Sequence, residues 1–365
     1  MKSDDKGFLK PIINYDLCVG CKLCQNICPL NKPSFKCDQE PISFAAFSLN
    51  DENHNNSSSG GIFSLLASEI LHEGGTVFGA AFNKDFHVEH VRITDDVLPL
   101  RTSKYVQSQI GDMFIAVEQD IRHGLKVLFS GTPCQIAGLY SYLQQKRIDT
   151  TNLLTIDLIC HGVPSPLLWE KHLKTISNDR KPVFVSFRDK RISWGGFNLT
   201  CRFDNGTEYS TNAGQDPYMQ GFFANMTLRD SCYFCQFKSV HRIADITLAD
   251  YWGVEKYTPS MVDRNGTSAV IIHSPKGQLY FEAIKKQIKW EIVPISSILS
   301  GNKTMVQSVL PHPRKKLFWQ LAIQQQFDGF ENIIVQLLKP TLIERVNLVI
   351  VKIKRIGKRM LKKER

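Results

Sequence analysis

"KVLFSGTPCQIAGLYSYLQQKRIDTTNLLTIDLICHG", residues 126–162, sets the fold. Two short apolar runs, "KVLFS" and "LLTIDLI", flank "QIAGLYSYLQQ", whose apolar residues recur at helical spacing. Strand, helix and strand in that order predict a βαβ unit with parallel pairing. The runs are apolar throughout rather than alternating, as expected of strands covered on both faces. Each run leads into a cysteine: Cys134 in "GTPCQ", at the start of the helix, and Cys160 in "CHG". If the strands are parallel neighbours, both cysteines lie at the carboxyl edge of the sheet, where open α/β sheets place ligands. A helix N-terminus also favours thiolate over thiol.

Working outward, "ISFAAFSL" (42–49), "TVFGAAF" (76–82) and "HVEHVRI" (87–93) read as strands. Helices are expected in "SSSGGIFSLLASEILHEGG", in "DMFIAVEQDIRHG" and through "PLLWEKHLKTI". From "KPVFVSF" (181–187) onward strands dominate, with "FNLTCRF", "DITLADYW" and "TSAVIIHS", then a helix near 277–288 and helical sequence past 311. The fold class is α/β with α+β character: a largely parallel sheet flanked by helices, with added antiparallel strands. No internal repeat is visible.

Composition narrows the function classes. The 365-residue chain is 42% hydrophobic, as folded globular proteins are. "MKSDDKGFLKP" lacks the apolar core of a secretory signal, and no apolar run is long enough to cross a bilayer. A cytoplasmic address is expected, where ten cysteines serve as metal ligands more readily than as disulfides. The net charge of +10 is local: residues 341–365 carry nine Lys/Arg against two Glu, net +7, leaving +3 for the rest. Nucleic acid is not indicated.

The cysteines fall into sets. "CVGCKLCQNICP" (18–29) spaces Cys18, Cys21, Cys24 and Cys28 two, two and three apart before a proline, the ligand run of a bacterial 4Fe-4S ferredoxin. A zinc knuckle is the competing reading, disfavoured by the proline ending and the absence of histidine. Cys232 and Cys235 form a shorter pair in "RDSCYFCQF" that zinc, redox dithiol and iron–sulfur sites all use. With Cys134 and Cys160 they make a candidate four-thiolate site, against the alternative that those two are small buried residues beside the sheet. Cys201 alternates within a strand and reads as a buried free thiol; Cys37 reads as a loop thiol or a substitute fourth ligand for the run.

"SSSGG" (57–61) entering a helix offers free amides at a positive dipole end, a site for a pyrophosphate; an ordinary helix N-cap with a flexible approach is the alternative. His161 reads as a structural histidine, against a supporting neighbour of a cluster ligand or a proton donor. Asp250 and Trp252 close a strand, where the aspartate serves either a turn or a ligand.

The ordered set "CVGCKLCQNICP", "SSGG", "SKYVQS", "GTPCQ", "CHGVPSP", "FRDK" and "C-Y-F-C" followed by "ADITLADYWG" resembles the coenzyme F420 hydrogenase/dehydrogenase beta-subunit family, over residues 7 to about 255 and more weakly to 300. The resemblance implies an FAD- and iron–sulfur-dependent oxidoreductase, with electrons passing between a ferredoxin-like donor or redox partner subunit and the flavin. A small molecule or an F420-like carrier is the implied acceptor, with a role in surface polysaccharide synthesis among bacterial relatives. A non-catalytic electron-transfer subunit is the alternative. Carried onto this chain, the resemblance points to Ser58, Ser59, Gly60 and Gly61, to Ser103, Lys104 and Tyr105, and to Gly131 and Thr132 as flavin-binding residues. It implies units at 1–40 (ferredoxin-type), 41–300 (flavin and iron–sulfur) and 301–365 (helical, basic). One feature departs from the family: relatives open with two ferredoxin runs, whereas one is present here. Either all four local cysteines hold one cluster, Cys37 assists, or a further run is missing from the sequence.

The tail "TLIERVNLVIVKIKRIGKRMLKKER" (341–365) places apolar residues on one helical face and Arg345, Lys352, Arg355, Arg359 and Lys362 on the other. It suggests peripheral contact with an anionic membrane, or packing of the apolar stripe on the domain or a partner.

Overall fold

The strand–helix–strand unit forms as its pattern requires. Val127–Gly131 pairs in parallel with Leu153–Leu158, Leu128 opposite Leu154 and Gly131 opposite Asp157, and the helix Pro133–Gln145 joins them. The computed structural model describes residues 1–31 and 39–340. Cys37 and the basic tail 341–365 lie outside the described residues.

In chain order the strands are β1 (Lys2–Ser3), β2 (Leu9–Lys10), β3 (Ile42–Ser48), β4 (Thr76–Phe82), β5 (Val88–Ile93), β6 (Val127–Gly131) and β7 (Leu153–Leu158). They continue as β8 (Pro182–Asp189), β9 (Asn198–Phe203), β10 (Glu208–Asn212), β11 (Ile246–Asp250), β12 (Ser268–Ile272) and β13 (Ile288–Ile292). An eight-stranded sheet has the order β13-β3-β12-β11-β7-β6-β4-β5. Four consecutive strands, β11, β7, β6 and β4, are parallel, and every pairing outside them is antiparallel. The sheet is therefore mixed, with a parallel centre. The strands after residue 181 do not all join it: β8, β9 and β10 form a separate antiparallel sheet, while β11 returns to lie beside β7.

Side-chain alternation builds the layers. On β4, Val77 joins Leu128, Leu154 and Ile246 beneath the helices Ile62–His72 and Pro275–Ile284. Phe78 joins Val127, Phe129 and Leu153 on the opposite face, beneath Met113–Arg122 and Pro133–Gln145. A further core gathers Trp169, Phe187, Tyr218 and Phe222 with Phe318, Trp319 and Phe330 of the C-terminal helices, and Phe8 from the N-terminus enters it. No helix among the described residues is long and apolar enough to cross a membrane.

Candidate functional site

Parallel register puts the ends of β6 and β7 side by side, so Cys134 and Cys160 leave the sheet from adjacent strands. The second pair arrives through backbone pairing. Pro164 bridges Leu228, and the amide of Arg229 donates to the Val163 carbonyl at 3.0 Å. That pairing lays the turn Asp230–Phe234 against the loop after Cys160. A Cβ on Gly162 would lie 3.2 Å from Cβ of Cys232, so the chain passes the cysteine with room for glycine alone, at φ +146°. The Cys235 amide is anchored by Ser308 Oγ at 3.0 Å.

The four thiols sense one another. Burial pushes Cys160 up to about 12, Lys238 pulls it down, and Cys134, Cys232 and Cys235 push it further up. Burial pushes Cys232 up to about 11, with Cys134 and Cys235 adding to the rise and Arg229 opposing it. Cys134 is exposed at the sheet edge; its Sγ receives amides at the helix start and lies 3.1 Å from Thr132 Oγ1, which favour the thiolate, while the atoms packed around it and the nearby Cys235 push the thiol up. Among the described residues no three Cys, His, Asp or Glu side chains converge as ligands of a single metal ion must. Cysteines around a four-iron cluster each bind a different iron and stand farther apart. Ligands of such a cluster therefore need not converge on one point, and their thiol protons leave when iron binds.

The candidate flavin residues gather at the same edge. Ser58 Oγ accepts the Ser103 amide at 2.8 Å, joining loop 57–61 to loop 101–105. His90 reaches Ser108 Oγ at 2.6 Å and the Ser130 carbonyl at 3.1 Å, tying the segment that follows the second loop to the end of β6 beside Gly131 and Thr132. Burial holds the His90 imidazole down at about 4, so it is neutral there. Thr132 caps the next helix in a reciprocal box with Gln135. Gly60 and Gly61 have packing reasons of their own. A Cβ on Gly60 would meet the Ala46 carbonyl at 2.4 Å, and Gly61 caps the helix Ile62–His72 at φ +79° without a side-chain hydrogen bond. Lys104 does not point its charge at an open site: its ammonium donates to the carbonyls of Pro99, Arg101 and Thr102 at 2.7–3.2 Å, and burial lowers it to about 7.

Other groups take the place expected of Lys104. Among the described residues Ser59 Oγ and Arg101 Nε and Nη1 are buried without a hydrogen-bond partner, and Arg101 is 3.8 Å from Glu52. Orphaned donors beside a helix N-terminus fit a phosphate-bearing cofactor. "FRDK" also acquires a place. Arg188 pairs with Asp250 at 2.6 Å and donates to Tyr105 Oη at 3.4 Å, while Lys190 donates to the carbonyls of His54 at 2.7 Å and Ser59 at 3.2 Å. Asp250 also accepts Trp194 Nε1 at 3.2 Å, and Trp252 stacks on Trp194 at 4.7 Å. The motif alone flagged Arg188 and Lys190; Arg101 and Lys238 carry no local signal. His161 bonds Asn225 Oδ1 at 2.6 Å and packs edge-on to Phe222, a structural placement. Cys201 is fully buried in β9.

The ferredoxin run lies outside this core. Cys18, Cys21 and Cys24 are exposed, with Cys24 on the short helix Leu23–Asn26. The turn Pro29–Asn31 rests against the helix that begins beside Cys134. Upstream, Arg229 donates to the Leu9 carbonyl at 2.7 Å, and Ser165 Oγ to Lys6 at 2.5 Å.

Residues 124–298 match the family described as the C terminus of the beta subunit of coenzyme F420 hydrogenase/dehydrogenase. Residues 11–31 match the 4Fe-4S binding domain. The beta-subunit region thus contains Cys134, Cys160, Cys232, Cys235 and "FRDK", and the 4Fe-4S match contains Cys18, Cys21, Cys24 and Cys28. The chain is an F420 hydrogenase beta-subunit-like iron–sulfur redox protein. Among solved structures it is similar to a chain of the F420-reducing nickel–iron hydrogenase complex from Methanosarcina barkeri, at 17% identity over 81% of this chain and 91% of that chain, with a TM-score of 0.45. No curated protein matches it.

Proposed function

We propose that the chain is an iron–sulfur flavoprotein oxidoreductase. Electrons from a ferredoxin-like donor or a redox partner subunit pass through 4Fe-4S centres to an FAD, and from there to a small molecule or F420-like carrier. The reading places one cluster on Cys18, Cys21, Cys24 and Cys28 and a second on Cys134, Cys160, Cys232 and Cys235. It places the flavin against Ser58, Ser59, Gly60, Gly61, Ser103, Tyr105, Gly131 and Thr132, with Arg101 for its phosphates. A flavin would supply the exchange between single electrons and a two-electron acceptor.

The observation that carries the reading is the meeting of two systems at one sheet edge. Thr132 lies 3.1 Å from Cys134 Sγ and is one residue from the β6 end that His90 ties to the flavin loops. Cluster and flavin would be neighbours, as electron exchange demands. Surface polysaccharide synthesis is a proposed setting, resting on the family resemblance alone.

A second reading, an electron relay inside a larger complex, is favoured by the surface of the ferredoxin run. Tyr15, Leu17 and Val19 are 81%, 78% and 87% exposed, as residues awaiting a partner subunit are. Iron, sulfide and flavin per chain of anaerobically purified protein test both readings. Two clusters and one flavin support the redox assignment, and zinc with a featureless visible spectrum rejects it. Turnover of an added acceptor separates enzyme from relay.

A further inference from the structure

The turn that carries Cys232 has an outer surface that the proposed function leaves unused. Asp230 at its start is gripped by Lys6 at 3.0 Å and by Lys315, whose ammonium also sits 4.0 Å above the Tyr233 ring. Beside them Lys6, Lys315, Lys316, Trp319 and Ile323 line a cavity of about 320 Å³. Lys6 lies 5.6 Å over the Trp319 ring, and Trp319 Nε1 is buried without a hydrogen-bond partner among the described residues. Phe234, between the two cysteines, is 82% exposed, and Leu317 and Ile323 are exposed on the adjoining helix Lys315–Gln324.

We propose that this face is the docking surface for an acidic one-electron carrier protein, which delivers electrons to the Cys134–Cys160–Cys232–Cys235 site. The inference rests on the cluster reading of those cysteines. Three lysines outnumber Asp230, so the face is positive; its apolar wall, Trp319 and Ile323, shares the cavity with Asp230 at the start of the ligand turn, and Lys315 covers Tyr233 within that turn. A positive rim around apolar contacts suits fast, salt-sensitive, transient electron-transfer docking. The chain's own tail is an unsuitable occupant. The described chain ends at Pro340 near this face, where Arg314 holds the Lys339 carbonyl at 2.9 Å, and residues 341–365 carry net +7, the same sign as the lysines. In the transfer one electron leaves the carrier and one reaches the cluster; no bond or proton need move.

The test is binding and electron transfer with a reduced two-cluster ferredoxin of strongly negative net charge. Lys316→Glu with Gln320→Glu reverses the face while leaving the Lys315–Asp230 pair in place. Titration calorimetry on the full chain should show the Kd rising at least tenfold in this variant, and stopped-flow reduction by the ferredoxin should slow in proportion. Reduction by dithionite should be unchanged. Lys286→Glu with Lys289→Glu at the β13 edge should leave both ferredoxin readouts unchanged; equal weakening there would overturn the inference by reducing it to net charge. Unchanged ferredoxin affinity in the face variant would also overturn it. So would lost binding to phosphatidylglycerol vesicles with ferredoxin affinity intact, which would make the face a membrane surface. If Cys232→Ser leaves the iron content whole, it is the cluster reading that fails, and binding of the carrier still reports on the face.

Discussion

The Arg229 amide meets the Val163 carbonyl at 3.0 Å, and this pairing holds the Cys232 turn against the loop that follows Cys160. Two sequence segments about seventy residues apart become one wall of a site through ordinary strand-like hydrogen bonding. Removing a thiol from that wall should therefore act on metal first. Cys232→Ser should lose about one cluster's worth of iron while leaving the ferredoxin-run cluster, and should lower the melting temperature, because a bound cluster stabilises only the folded chain. Iron and sulfide analysis with thermal denaturation checks both.

The joined loops 57–61 and 101–105 give a flavin prediction that spares the glycines, since a side chain on Gly60 would collide with β3 and one on Gly61 with Asn53. Ser58→Ala removes the acceptor of the Ser103 amide. Loss of one hydrogen bond, about 1 kcal/mol, should weaken flavin retention about fivefold. Arg101→Met should weaken it more than tenfold, since a charge-assisted contact is worth about 1.5–3 kcal/mol. Flavin absorbance per chain after gel filtration reads both effects, with iron content unchanged.

Arg242 and Asp157 form a fully buried pair at 3.0 Å beneath the Cys160 loop, and Arg242 also holds the Leu158 carbonyl at 2.9 Å. Burial raises the Asp157 carboxyl and Arg242 opposes the rise. Arg242→Met should destabilise the fold by about 3–5 kcal/mol, the cost of stranding a buried charge. Chemical denaturation measures this, and a loss under 1 kcal/mol would refute it.

His172 lies between Asp216 at 3.1 Å and Glu331 at 3.3 Å. Burial alone would lower its pKa, but the hydrogen bonds and charges of the two carboxylates push it up to about 9. Because the folded value is raised above the ordinary 6.5, the stabilisation is fully present below pH 6.5 and fades as pH rises through about 9. Melting temperature should fall between pH 7 and 9.5, and His172→Gln should be less stable at pH 6 with a flatter profile across that window.

Local signals were legible in the sequence. The 2-2-3 spacing of Cys18, Cys21, Cys24 and Cys28 is a ligand pattern within twelve residues. Val127–Gly131, Pro133–Gln145 and Leu153–Leu158 follow from short-range periodicity, and so does the sheet edge that receives Cys134 and Cys160. Other features depend on what the chain meets after it folds. Cys134 sits where a helix dipole should favour thiolate, but elements far away in sequence, Cys235 among them, act on the same thiol in the opposite sense. Lys104 reads as a phosphate ligand until its own loop curls back and offers three carbonyls. Arg101 and Lys238 have no motif, and only tertiary packing gives them neighbours. The sequence by itself determined the chemistry, because cysteine spacing and apolar period act between near neighbours along the chain. The tertiary structure decided which cysteine-bearing loops lie side by side and which cations lie near them, because pairing register and burial are set by residues far apart along the chain.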